Sequence, residues 1–416
     1  MPFRAGSGRL RCNAACPALP LQGSIGRAGR RCIALKNARL TRDPRLSIES
    51  PASKAQAMIA GKQVRCAVVV GNGDFSAYLA GTAGRDEPRI EFIEIARATG
   101  GDCLSYTSGA AKHGGWFCRL FAKRPNLGSA VHAACVAHRY DAIYVTGEDV
   151  GMPLALLLRL RGWRGRLVCL AHYITPRRAR IFKRIGAGAF HRVITVSQAQ
   201  AASLVTLAGF PATRVRALHN WVDDRFFDPA LVDKIPDVGF VACGAENRDY
   251  AGLRRAFAET PQHVMRIFGH GFFGTGVAGA ERHKDGPSNV VAMPRVSFAE
   301  LRNYYGSAEA VVVPLNGVTY AAGVTGAVEA MACGRPVIAT ETTGIAEYLG
   351  QIDPRLRVPP GDAHRMAEAV QLLADTDLET RAAWGQRNRD WVVQHCSLDR
   401  YVAIIRGEMI DRDDVD

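Results

Sequence analysis

At 416 residues, 48% hydrophobic and 22% charged, the chain is long enough for two domains with separate cores. Its longest unbroken aliphatic run, Pro153 to Leu158, is far short of the roughly 20 apolar residues of a membrane-spanning helix. The net charge of +14 would point to a nucleic-acid or membrane partner if it were spread over the fold, but residues 1 to 60 hold eleven Lys or Arg against Asp43 and Glu49, which leaves +5 for the rest. The eleven cysteines are odd in number and scattered, an argument for a reducing compartment and against a disulfide framework or zinc site.

Residues 1–61 form a basic leader rich in Arg, Gly, Ala and Pro. Phe3 is its one aromatic residue, so it is expected to be disordered for want of surface to bury. It lacks the apolar core of a secretory signal. A transit peptide, a basic arm for anionic partners and untranslated sequence before a true start at Met58 are the alternatives, and the position of Met58 favours the last.

The first folded unit opens with Val64 to Val70, an apolar run suited to a strand buried on both faces. In the following turn, GNGDF, Gly71 and Gly73 either let the backbone approach a ligand closely or only turn the chain. Further strands are predicted at Ile90 to Ile95, Asp141 to Thr146, Leu167 to Ala171 and Val193 to Ser197, with helices such as Leu127 to Arg139 and Met152 to Arg161 between them. Alternation at this spacing predicts a parallel, doubly wound sheet. His172 then stands beyond the carboxyl end of a strand, where open α/β folds bind ligands.

Arg177 to Phe190 sets five basic residues opposite Ile181, Phe182 and Ile185. It reads either as a surface for anionic lipid or as a core stripe with a solvated basic face. Ser197 with Gln200 predicts a capping box for a helix ending at Gly209.

A second unit starts with the strand Val238 to Cys243 and the turn GAENRDYAGLRRAF. Arg248 in that turn is a phosphate candidate, with pairing to Asp249 or Glu246 as the alternative. GHGFFG at Gly269 to Gly274 satisfies a dinucleotide pattern, but no amphipathic helix follows it, so that reading is set aside. Ser297 with Glu300 predicts a second capping box. The stretch Thr319 to Ala339, TYAAGVTGAVEAMACGRPVIA, then combines a small-residue turn at Ala321 to Gly323, a helix from Thr325 to Cys333 closed by Gly334, and a buried strand from Pro336.

A helix starting there, after the strand Ala310 to Pro314, aims the backbone N–H groups at Gly323, Val324 and Thr325 into the crevice, which makes a phosphate site. Glu329 lies one turn lower on the face of Thr325, placed to accept from both hydroxyls of a ribose unless it is only a solvated helix glutamate. Helices are predicted at Ala363 to Ala374, Leu378 to Val393 and Leu398 to Met409. Asp411 to Asp413 spells a metal-binding Asp-x-Asp, but no strand precedes it.

GAVEAMACGRPVIAT and VITVSQAQAASLVTLAGFPATRVRALHNWVDDRFFDP resemble the donor-site signature and the end-of-first-domain segment of family 4, group 1 retaining glycosyltransferases. These have the GT-B architecture, two Rossmann-like, doubly wound parallel-sheet domains facing a cleft. The resemblance covers roughly residues 64 to 409. It implies an acceptor domain at 62–222, a nucleotide-sugar donor domain at 223–396, and a last segment, 397–416, whose helix returns to the first domain. Asn220 and Asp223 match the crossing segment, with Trp221 in place of a glycine.

The resemblance also implies roles for single residues. Glu329 would hold the ribose, and Arg248 with Gly323, Val324 and Thr325 the diphosphate. Arg295 and Val296 fall on the base-binding loop, Gly71 and Gly73 on a cleft-facing loop, and His172 on a histidine that reaches the sugar. Ala321 and Ala245 depart from the pattern, standing where a sugar-touching glutamate and a second phosphate-binding arginine are usual.

The expected activity is transfer of a sugar from a UDP- or GDP-sugar to a cell-envelope glycan or lipid-linked acceptor, with retention and without metal or cofactor. The protein would work in the cytoplasm or peripherally on the membrane's cytoplasmic face, through Arg177 to Phe190. A sugar-nucleotide epimerase of the same architecture and a non-catalytic nucleotide-sugar binder are the alternatives.

Overall fold

The computed structural model describes residues 58–59, 62–71, 86–269 and 286–411. The leader before residue 58, Gly73 and the rest of its loop, the GHGFFG stretch beyond Gly269 and the tail beyond Asp411 lie outside the described residues. Two six-stranded parallel sheets organise the described part. The first holds β1 (Cys66–Val69), β2 (Asp102–Leu104), β3 (Ala142–Val145), β4 (Arg166–Ala171), β5 (Arg192–Thr195) and β6 (Val215–Ala217), side by side as β2-β1-β3-β4-β5-β6. The second holds β7 (Phe240–Cys243), β8 (Met265–Phe268), β9 (Val290–Ala292), β10 (Ala310–Val313), β11 (Val337–Thr340) and β12 (Arg357–Val358), in the order β9-β8-β7-β10-β11-β12. Central strands such as AIYV of β3 and AVVV of β10 are buried at every position, because helices cover both faces of a parallel sheet.

Among the described residues seven α-helices flank the first sheet: α1 (Glu91–Thr99), α2 (Tyr106–His113), α3 (Gly115–Phe121), α4 (Pro125–Val136), α5 (Glu148–Leu160), α6 (Pro176–Ile185) and α7 (Gln198–Ala208). With the second go α8 (Tyr250–Glu259), α9 (Phe298–Ser307), α10 (Val324–Ala332), α11 (Ala363–Asp375) and α12 (Leu378–Cys396). The last, α13 (Leu398–Ile410), returns to the first sheet, where Leu398, Tyr401, Ile405 and Met409 share a core with Val68, Tyr144, Leu170 and Ile194. Its buried Glu408 accepts from Arg192 and Arg216, each at 2.7 Å. This is the two-domain, doubly wound GT-B arrangement that the resemblance implied.

Three local expectations are corrected. Ile90 to Ile95 is helix, not strand: Phe92, Ala96 and Thr99 bury one face at helical spacing, and Gly100 closes it with a φ of 62°. The helix expected from Met152 starts at Glu148, with Pro153 inside it, so the proline does not mark its first turn. Ser297 and Glu300 form the full capping box. Ser197 caps Gln200 N–H, but the Gln200 side chain does not return the bond; it reaches out to Ile174 N–H and, at 3.4 Å, the Thr319 carbonyl in the other domain.

Tyr348 pins the two domains together. Its hydroxyl accepts from Asn220 N–H at 2.7 Å and donates to the Val196 carbonyl at 2.6 Å, with the ring fully buried. Tyr348→Phe leaves both backbone groups unpaired and should cost about 1–3 kcal/mol. A fall in melting temperature without loss of helix content checks this, and an unchanged Tm counts against the pin.

Candidate functional site

A cavity of about 440 Å³ opens at the carboxyl end of the second sheet, between the β7–α8 loop, the segment Pro294–Phe298 and the start of α10. Gly323 forms the N-cap of α10 with a φ of 81°, and a Cβ there would sit 2.9 Å from the Leu315 and Val313 side chains, so the turn requires glycine on two counts. The first N–H groups of α10 have no helical partners, and with the helix dipole they give this wall of the cavity a positive character. The cavity brings together five of the expected residues: Arg248, Val296, Gly323, Thr325 and Glu329. The Val324 side chain is buried in the core, leaving only its backbone at the helix tip.

Arg248 is held by its own loop. Nε donates to the Cys243 carbonyl at 3.1 Å and Nη1 to the Glu246 carbonyl at 2.8 Å. Gly244, with φ 112°, lies so close that a side chain there would collide with the guanidinium. Nη2 comes within 4.0 Å of where a Cβ on Gly326 would be, which sets the cation beside the first turn of α10. Neither acidic alternative pairs with it among the described residues. The Asp249 carboxylate caps Gly252 N–H at 2.7 Å, and that of Glu246 accepts from the Tyr320 hydroxyl at 2.7 Å. Arg295 also lines the cavity, whereas Arg335 does not.

Glu329 faces the cavity from the second turn of α10 and accepts from the buried Tyr305 hydroxyl at 3.3 Å. Burial pushes its carboxyl up to about 8, only partly offset by that hydrogen bond and by the charge of Arg248. A carboxyl that fits its surroundings so poorly when ionised, in a cleft, is a functional candidate rather than a structural one.

His172 follows β4 in the first domain, exposed at the carboxyl edge of the sheet. Its N–H donates to Glu148 Oε2 at 2.9 Å, and Nε2 lies 3.1 Å from the Thr146 carbonyl, which as an acceptor places the ring proton on that nitrogen. Glu148 is buried and paired with Arg178 at 2.7 Å. His172 does not line the cavity, but Tyr173 beside it packs its ring, tilted by 41°, against that of Tyr320 in the second domain with centroids 4.5 Å apart. Glu148, Tyr173, Arg178 and Tyr320 were not singled out in the sequence. The one available signal was Glu148, the first acid after strand β3.

Gly71 packs on α4, where a Cβ would come within 2.9 Å of Asn126 Oδ1, the movable end of a side chain. On α6, Phe182 and Ile185 are buried and Ile181 packs partly against the same core, while Arg177, Arg180, Lys183 and Arg184 are exposed. The apolar stripe once readable as lipid-facing is therefore core.

A family profile described as "Glycosyl transferases group 1" matches residues 236–376, and one described as "Glycosyltransferase Family 4" matches 96–226. No curated protein matches the chain. Among solved structures, the chain is similar to HepE from Anabaena in complex with UDP and glucose, at 17% identity and TM-score 0.56 over 82% of this chain and 98% of that one. A glycosyltransferase from Rickettsia africae is 14% identical, with TM-score 0.56 over 84% and 99% of the two chains. A structure described as trehalose-6-phosphate from Escherichia coli bound with UDP-2-fluoro glucose is 12% identical, with TM-score 0.60 over 84% and 99%. At these identities the structures carry the fold, and the two profiles, one on each sheet, carry the family. The chain belongs to the group 1, family 4 glycosyltransferases.

Proposed function

We propose that the protein transfers a hexosyl group from a nucleotide-diphosphate sugar to a cell-envelope glycan or lipid-linked saccharide. The single observation that carries this is the cavity in which Arg248 and the α10 N-terminus meet one turn above Glu329. UDP or UDP-glucose in structural neighbours supports a uridine or related donor. As the glycosidic bond breaks, charge grows on the departing nucleoside diphosphate and the sugar becomes oxocarbenium-like. Preorganised N–H groups and a guanidinium fit that charge, so the reading needs no metal. Glu329 fixes the ribose, His172 approaches the sugar from the opposite domain, and closure of the cleft excludes water. Retention of configuration is part of the proposal.

A donor-hydrolysis screen over UDP-, GDP- and ADP-sugars with cell-envelope lipid acceptors tests it. Consumption of one donor class with release of its nucleoside diphosphate is expected. Binding without consumption selects the non-catalytic reading, and an epimerised donor selects the epimerase.

For an envelope acceptor, work in the cytoplasm at the membrane face follows. No helix among the described residues is long and apolar enough to cross a membrane. The contact proposed is electrostatic: residues 150 to 222 contain twelve Lys or Arg and no Asp or Glu, and the exposed face of α6 belongs to that stretch. Vesicles with phosphatidylserine should therefore bind the protein at low salt and release it as salt rises over a few hundred millimolar, while neutral vesicles should not bind. Binding that resists salt would mean insertion, which the buried α6 stripe does not provide.

A further inference from the structure

A donor lying in the cavity has two ends, and only one is accounted for by Glu329. The other end, the sugar, must point toward the first domain, because an acceptor can reach it only across the cleft. Much of the lining is featureless: Gly244, Ala245, Ala321 and Ala322 offer no side-chain polar group. Apart from Glu329, Glu246 is the only carboxylate on the cavity wall among the described residues.

We propose that Glu246, positioned by Tyr320, is the residue that reads the hydroxyls of the transferred sugar, and that it selects a neutral hexosyl donor over a uronosyl one. The inference rests on the nucleotide-sugar reading above and deepens it.

Four observations aim Glu246 at that place. Its loop is bent by Gly244 and by Asn247, which takes a left-handed φ of 50° that asparagine tolerates better than most residues. The Glu246 carbonyl accepts from Arg248 Nη1 at 2.8 Å, so the carboxylate and the phosphate-facing cation belong to one fixed turn. The Tyr320 hydroxyl donates to Glu246 Oε1 at 2.7 Å and accepts from Asn247 Nδ2, while Oε2 has no hydrogen-bond partner among the described residues. Tyr320 itself packs against the ring of Tyr173, next to His172, which puts the carboxylate at the mouth of the cleft.

A carboxylate with one oxygen occupied and one open is an acceptor for sugar hydroxyls. The same charge repels the carboxylate of a uronic acid, which gives discrimination by a repulsive element as well as an attractive one. Tyr320 is a positioning residue and touches the sugar only through Glu246.

The test titrates the full chain with UDP and GDP, each alone and as its neutral hexose and uronate derivatives. Wild type should prefer the neutral sugars. Glu246→Ala should lose roughly ten- to hundredfold in affinity for the neutral nucleotide-sugar while binding the bare nucleotide unchanged. It should also narrow the gap to the uronate. Tyr320→Phe should lose less, again on the sugar alone, whereas a merely structural tyrosine would lower the Tm and leave the ratio of sugar-bearing to bare nucleotide affinity untouched. A Glu246→Ala protein whose affinity for the nucleotide-sugar changes no more than that for the bare nucleotide overturns the assignment and leaves the donor cavity standing. Wild type that binds no nucleotide overturns the donor reading itself, and this inference with it.

Discussion

Arg248→Ala is expected to abolish nearly all donor turnover instead of halving it. The reason is the loneliness of this cation at the tip of α10. Ala245 supplies no second charge in the same turn, Arg335 lies off the cavity, and Arg295 lines the wall built by Pro294–Phe298 instead of the Gly244 turn. With Arg248 gone, only backbone N–H groups and the helix dipole would face the diphosphate, and a charge-assisted pair is worth about twice a neutral hydrogen bond. Because the charge develops as the leaving group departs, kcat should fall more steeply than donor affinity, by roughly a hundredfold or more. Arg248→Lys keeps the charge but loses the planar fork whose separate nitrogens reach the Cys243 and Glu246 carbonyls while leaving Nη2 for a phosphate, so it should fall between wild type and Ala. Near wild-type turnover in Arg248→Ala would transfer the role to Arg295.

Glu329→Gln should show opposite signs in binding and in stability. An amide presents one acceptor atom to two ribose hydroxyls, so nucleotide affinity should drop by about 1.5–3 kcal/mol. The raised carboxyl makes the loss depend on pH. Its folded value of about 8 lies above its ordinary 4.5, so the free site is largely protonated at neutral pH and donor binding must ionise it. Wild-type affinity for a nucleotide-sugar, whose diphosphate does not titrate in this range, should therefore climb between pH 6 and 8, by up to about tenfold per unit, and level off above. The Gln variant should be flat.

For folding the sign is reversed. A carboxyl whose folded value is raised favours the fold while protonated, and that advantage is lost as pH rises from the unfolded value through the folded one. Glu329→Gln should thus be more stable than wild type at pH 8, by something on the order of 1–3 kcal/mol once the open cavity's screening is allowed for, and nearly equal at pH 5. A variant less stable at both pH values would mean that Glu329 serves the fold.

How much of this was legible in the sequence differs from element to element. The α10 cradle was readable because its parts are local: a glycine that only a left-handed turn needs, a helix that must start after a buried strand, and a glutamate four residues on. The gathering of Arg248, Val296 and Glu329 was readable only through the family pattern, since periodicity says nothing about which loops meet. Ile90 to Ile95 was misread because Ile-Glu-Phe-Ile-Glu-Ile is rich in strand-favouring residues and too short to fix a period, and packing against α13 and the sheet decided it. Glu246 was seen only as a rival partner for Arg248. Its contact with Tyr320 spans 74 residues and depends on a positive φ at Asn247, neither of which leaves a trace in spacing. The α6 stripe carried two meanings, and which side the rest of the chain would cover was not written in the stripe itself.

The return of α13 to the first sheet bears on how the protein is made. Tyr144 and Tyr401, whose hydroxyls meet at 3.2 Å in that core, are separated by 257 residues. At ribosomal speeds of about 5–20 residues per second, the face of the first sheet that carries Val68, Tyr144 and Ile194 waits roughly 10 to 50 seconds for its cover. During that interval the nascent first domain presents an apolar strip to solvent and would be a client for holding chaperones. A transcript truncated just before Leu398 would keep the whole donor cavity and yet deliver a chain with that strip permanently bare, so its fate should be aggregation or proteolysis and not a merely slower enzyme.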